Sequence, residues 1–167
     1  MFTDIPEGAV CYLDATMFYY HLVETPALSD DCSDLLKQIE LGRVHGVTSS
    51  VALAEATHKV MLAEVVSRHG VAHQGLLARL KRHPALLDGL TSHYQVVATV
   101  RGLRLHVEAI TLELLARGAD LSTQERLLTN DALTLAVMEH LGVTVLATND
   151  DDFDTVPGIT VYKPLRA

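Results

Sequence analysis

The sequence predicts an α/β fold in which a mainly parallel central sheet is flanked by helices. Three observations predict it. Short, continuous apolar runs rich in Val, Leu and Tyr suit strands covered on both faces. Segments with helical apolar spacing alternate with those runs, the order that right-handed crossovers between parallel strands require. Two of the apolar runs end in acid, at Asp14 and Asp150, and ligands of open α/β sheets bind beyond the carboxyl ends of the strands.

The two clearest strands are "AVCYLD" (9–14) and "VTVLAT" (143–148), and both read as central. "GVTS" (46–49), "YQVVATV" (94–100) and "GITVYK" (158–163) read as further strands. The best-marked helix is "SDDCSDLLKQIELG" (29–42), with Cys32, Leu35, Leu36 and Ile39 on one stripe. Ser29 suits its cap, Asp30 and Asp31 its positive end, and Gly42 its stop. A second helix is expected over 51–67. An extra helical hairpin is expected over 71–89, where "LLARLKRHP" stops at Pro84, and a further helix over "LHVEAITLELLARG" before Gly118. "ALTLAVMEHLG" (132–142) is apolar nearly all round, which predicts a buried helix ending at Gly142.

A chain of 167 residues without a composition break suits one domain, residues 1–167, and 49% hydrophobic residues suffice for a core. No apolar run reaches the ~18 residues of a membrane span, and the acidic start "MFTDIPEG" lacks the basic region of a secretory signal, so the expected location is the cytoplasm. Cys11 and Cys32 lack CxxC spacing and read as small buried hydrophobes. The net charge of −8 argues against a surface broadly devoted to phosphate neutralisation, but not against a local concentration of acid.

The acids are where the sequence is most specific. "VLATNDDDFDTVPG" runs a strand into Asp150, Asp151, Asp152 and Asp154. Each aspartate alone is explained by capping or a turn. Glu55, however, falls on the apolar stripe of its helix beside Val51, Leu62 and Val66, which predicts an acid turned inward and paired, protonated or bound to a cation, or else one at the stripe's edge reaching for solvent or Lys59 four residues on. Asp131 sits in the first turn of the buried helix, where Thr129 and Asn130 already offer caps. Four acids from four segments, with few bases nearby in sequence, repel one another unless a hard, oxygen-seeking cation such as Mg2+ or Mn2+ joins them. With Asp152 they would account for five of the eight excess negative charges.

At these residues the chain resembles the PIN-domain ribonucleases, particularly the VapC-type toxins of prokaryotic toxin–antitoxin modules. "YLDATMFYY" is similar to the family's first motif, "SSVALAEATHKV" to its glutamate helix, and "LLTNDALTLAVMEHLGVTVLATNDDDFDTVPGITVYKP" to its carboxyl-terminal half. The resemblance implies a three-layer fold on a four- or five-stranded sheet. It also implies a metal-dependent endoribonuclease whose acidic quartet is Asp14, Glu55, Asp131 and Asp150. Asp152 would be an accessory acid, and Thr16, Thr148 and Asn149 would support the metal site, although Ala15 and Thr16 depart from the family's common Asp-Thr-Asn form. Mg2+ or Mn2+ would be the cofactor and RNA the substrate. A small antitoxin protein would be the partner, and self-association into a homodimer or larger assembly is expected, with apolar helices such as 51–66 as candidate contact faces.

RNA would need local basic groups. Arg79, Lys81, Arg82 and His83 in "ARLKRH", and Arg101 and Arg104 in "RGLR", are the candidates, and an ordinary solvated helix face explains them equally well. The main rival from another class is a catalytically silent PIN-like scaffold that binds RNA or protein; its mark would be a lost acid. "EATH" has the Glu-x-x-His spacing of di-iron bundles but no second copy, and His69 and His73 lack the HExxH glutamate. "LDATMF" invites a phosphoaspartate reading, but the second aspartate of a DxD motif is missing.

Overall fold

The computed structural model describes residues 1–165. Its strands β1 (Val10–Leu13), β2 (His45–Ser49), β3 (His106–Glu108), β4 (Val145–Ala147) and β5 (Thr160–Tyr162) form one sheet in the order β3-β2-β1-β4-β5. Every neighbouring pair is parallel. The helices are α1 (Ala15–Leu22), α2 (Leu28–Glu40), α3 (Ser50–His69), α4 (Leu76–Arg82), α5 (Tyr94–Leu103), α6 (Leu112–Glu125) and α7 (Thr129–Leu141).

Strand order reverses at β1, with β2 on one side and β4 on the other. That reversal opens a crevice at the carboxyl ends of the strands. Leu13 pairs with Ala147 across β1 and β4, so Asp14 and Thr148 leave the sheet side by side. Alternation along β1 divides the core: Cys11 and Leu13 join Met17, Phe18, Leu35 and Val96 on one face, while Tyr12 joins Leu146, Leu135 and Val137 on the other. The expected burial of α7 is met, since every residue from Ala132 to Met138 is buried. A Cβ at Gly118 would meet Leu133 Cδ2 at 2.9 Å, so this glycine is not the expected stop but the place where α6 crosses close to α7.

Three further expectations are corrected. Residues 94–100 are helix α5 rather than a strand: Val96 and Val100, four apart, are buried, while Tyr94 and Val97 face outward. β-branched residues favour strands, but burial of one helical stripe outweighs that weak preference. The missing strand is β3, inside the 105–118 segment read wholly as helix; α6 begins only at Leu112, where Thr111 Oγ1 accepts from Leu114 N at 3.3 Å. Ser29 is not a cap, because its hydroxyl accepts from Thr25 N and donates to Val23 O within the preceding turn.

Within 71–89 the chain forms α4 and a 3-10 turn over Pro84–Leu87. Leu76, Leu80 and Leu90 pack with Leu62 and Val65 of α3 in a small cluster of their own. Glu64 receives the amides of Thr91 and Ser92, and Arg68 donates to Gly89 O at 2.6 Å, so the second half of α3 clamps the end of this segment. Cys11 and Cys32 are free and fully buried, and burial pushes both thiols up to about 12, which keeps them inert. Among the described residues no helix is long and apolar enough to cross a membrane.

Candidate active site

Asp14 ends β1 and caps α1, its carboxylate accepting from Thr16 N at 3.4 Å. Two hydroxyls converge on the same oxygen, Oδ2: Thr16 Oγ1 and Thr148 Oγ1, each at 2.9 Å. Behind them, Asn149 N donates to Thr16 Oγ1 at 3.2 Å and Asp150 N to Thr148 Oγ1 at 3.0 Å. The turn after β4 is therefore stitched to the turn after β1 through hydroxyls that also fix the Asp14 carboxylate. Among the described residues the hydrogen bonds to Asp14 all fall on Oδ2, which leaves Oδ1 with lone pairs for a ligand.

Asp131 enters from the first turn of α7. Burial, and then the charges of Asp150, Asp14, Asp152 and Glu55 in that order, push its carboxyl up to about 6. The five acids singled out in the sequence thus share one electrostatic neighbourhood, although they come from β1, α3, α7 and the loop after β4. Thr129 and Asn130 are not caps, as the capping position falls at Leu128. Asn130 Nδ2 instead donates to Glu55 Oε2 at 2.7 Å, tying α7 to α3. Glu55 is only partly buried, with its side chain 26% exposed, and it forms the 2.6 Å pair with Lys59 that its spacing allowed.

Sequence reasoning named Lys59 as a partner for Glu55 and Thr148 as a support but missed the wider setting of Lys59, the role of Lys163, and the buried hydroxyls of Thr48, Ser49 and Thr134. Lys59 is a cation inside the acidic pocket: burial works to lower its pKa, but Glu55, Asp14 and Asp150 outweigh burial and raise it. Lys163, beyond β5, holds Asp151 Oδ1 and Asp154 Oδ1 at 2.6 Å each, so two of the four clustered aspartates are already paired. Asp150 and Asp152 are the two that act on Asp131, with Asp150 Oδ1 accepting from Asp152 N at 3.0 Å. Finally, Thr48, Ser49, Thr134 and Thr148 are buried hydroxyls, three of them at strand ends. Tyr12 donates to Ser49 Oγ at 2.7 Å and Thr48 to Leu13 O at 2.8 Å. Their signal was a hydroxyl at the end of an otherwise apolar run.

The donor set is all oxygen, which suits Mg2+ or Mn2+. Among the described residues no three carboxylate, imidazole or thiol groups stand close enough to grip one ion. A cavity of about 620 Å³ lies elsewhere, lined by Phe2, Ile5, Leu35, Leu41 and Val44 among others, and shares no residue with the acids. The basic candidates Arg79, Lys81, Arg82, His83, Arg101 and Arg104 are all exposed, on α4 and α5 and at their carboxyl ends. The apolar stripe of α3 offers little to a second subunit, because Ala52, Ala56, Val60, Leu62 and Val65 are buried within the chain.

In overall structure the chain is similar to VapC20 of Mycobacterium tuberculosis, a toxin that cleaves the sarcin–ricin loop, with a TM-score of 0.62 and 16% identity over 89% of this chain and 96% of that one. It is also similar to VapBC2 of Rickettsia felis bound to a promoter DNA fragment, with a TM-score of 0.56 and 15% identity over 92% of this chain and 98% of that one. A toxin–antitoxin complex from Klebsiella pneumoniae gives a TM-score of 0.54 and 13% identity, covering 90% and 95% respectively. No curated protein sequence matches significantly. The PIN domain model matches residues 11–159, which span β1 to the last turn before β5 and contain all five acids. The chain belongs to the PIN-domain family.

Proposed function

We propose that this PIN-domain chain is a metal-dependent endoribonuclease, the toxin of a toxin–antitoxin pair, which hydrolyses RNA phosphodiester bonds. The observation that carries the reading is that burial, and after it the charges of Asp150, Asp14, Asp152 and Glu55, push the Asp131 carboxyl up to about 6. Such crowding is costly without a cation, and strained titratable groups of this kind mark functional sites.

Asp14 and Asp150 are the central ligands in this reading, Glu55 and Asp131 hold a second position or orient water, and Asp152 supports them. Mg2+ or Mn2+ bound there would lower the pKa of the attacking water and offset charge developing on the phosphate. The protein's own part is orientation. Thr16 and Thr148 fix the Asp14 carboxylate. Asn130 steadies Glu55, and Asn149 N completes the link to Thr16. Likeness to VapC20 supports RNA as the substrate class, and likeness to the VapBC2 and Klebsiella complexes supports an antitoxin partner. Self-association and a cytoplasmic location belong to the same proposal; light scattering that finds a monomer at high concentration would remove the first.

The test is cleavage of RNA by the purified chain with Mg2+, with Mn2+ and with EDTA, beside Asp14→Asn. Cleavage is expected to need the metal and to vanish in the variant while the melting temperature holds. Full activity in Asp14→Asn would refute the assignment.

A further inference from the structure

Lys59 is a cation placed among acids, on the helical turn after Glu55. Its ammonium lies 2.6 Å from Glu55 Oε1. Glu55 does not depend on it for position, because Asn130 Nδ2 holds the other carboxylate oxygen at 2.7 Å. The Lys59 side chain is 41% exposed and has a flexible four-carbon stem, so its head group can swing without disturbing α3. A divalent cation taking up Glu55 and Asp150 would repel an ammonium from those carboxylates. The displaced charge would then sit at the edge of the metal site in need of an anion, and the anion that chemistry brings there is the phosphate of the substrate.

Several other basic groups are already engaged or lie further along the fold. Lys163 is taken by Asp151 and Asp154, and Arg117 by Glu139 in a two-bond pair. Arg79, Lys81 and Arg82 belong to the hairpin that packs on Leu62 and Val65. Val65 is ten residues beyond Glu55 on α3, about 15 Å along the axis.

Resting on the nuclease reading, we propose that Lys59 exchanges Glu55 for the scissile phosphate and is the residue that holds that phosphate during cleavage. The residue is thus a substrate contact of the site and not part of its metal-holding set.

The experiment compares wild type, Lys59→Met, Lys59→Gln and Lys59→Arg for kcat/KM on single-stranded RNA, alongside Mn2+ affinity by titration calorimetry and melting temperature. Lys59→Met and Lys59→Gln are expected to lose about 10- to 100-fold in kcat/KM, the cost of one charged hydrogen bond, while Mn2+ binds as tightly as before or tighter. Lys59→Arg is expected to recover most of the loss, because it keeps the charge. Lys59→Met cleaving as wild type does would overturn the proposal. So would a parallel fall in Mn2+ affinity and cleavage, which would make Lys59 only a prop for Glu55. If Lys59→Met does not fold, Lys59→Gln decides by the same criteria. Wild type without metal-dependent cleavage would sink the nuclease reading and this proposal with it, whereas active wild type with equally active variants sinks this proposal alone.

Discussion

Along α3, the first turns carry Glu55 and Lys59 into a pocket of carboxylates, whereas the last turns bury Leu62 and Val65 under a hairpin that exposes Arg79, Lys81 and Arg82. One helix thus separates the acids from the main basic cluster. In the acidic half, charge is concentrated and held by specific partners: hydroxyls on Asp14, an amide on Glu55, and the neighbouring carboxylates around Asp131. In the basic half the side chains stand in solvent, and Arg82 bonds back to Ala78 O on its own helix. The lesson is that the net charge of −8 describes neither region. Held charge serves chemistry at a point, and solvated charge serves attraction over a surface that salt screens.

That contrast breaks most severely at Asp14. Asp14→Asn should cost more than the roughly 10- to 100-fold expected for losing a supporting partner, measured as metal-dependent RNA cleavage. Thr148→Val tests the support itself: the hydroxyl that joins Asp150 N to Asp14 Oδ2 is removed at constant shape, and Mn2+ affinity or cleavage should fall by about 10- to 100-fold. Retained affinity would mean that the stitched turns are incidental. On the other side of the helix, Lys81→Glu with Arg82→Glu should weaken RNA binding by about tenfold at low salt and flatten its salt dependence by about one to two charges, leaving Mn2+ affinity alone. An unchanged salt slope would exclude the hairpin from the RNA path.

The smallest effect concerns stability of the metal-free protein. The Asp131 carboxyl, at about 6, lies above the ordinary carboxylate value of about 4 that it takes when unfolded. The folded state therefore binds the extra proton, and the stability this provides is full below about pH 4 and lost as pH rises through 6. Asp131→Asn removes the penalty of charging, so in EDTA the variant should exceed wild type by about 1 kcal/mol above pH 6, with the two curves converging below pH 4. Denaturant melts at pH 4 and pH 7.5 measure it.

Much of this was legible from residue order. Asp14, Glu55, Asp131, Asp150 and Asp152 announced themselves as acids where apolar patterns stop or should not contain them, and the runs at 46–49 and 158–163 hold strands β2 and β5. The α5 segment was not legible, because Val-rich stretches fit both periods until something decides which face is covered. β3 was hidden for the converse reason: a three-residue edge strand runs directly into a capped helix, too short for its own period to register. Lys59 was visible as a partner for Glu55 through its four-residue spacing, whereas the pairing of Lys163 across 9 and 12 residues and the reach of Asn130 to Glu55 across 75 have no local signature.

The sequence by itself determined the alternation of strands and helices, the burial of α7 and the identity of the acids, because periodicity and charge are properties of order along a chain. Only the tertiary structure decided that β1 and β4 are neighbours, that Asn130 reaches Glu55, and that Lys163 takes two of the clustered aspartates while two remain to act on Asp131. Those facts depend on distances between segments remote in sequence. Such distances are fixed by how the helices and sheet pack, not by any one segment's own preferences.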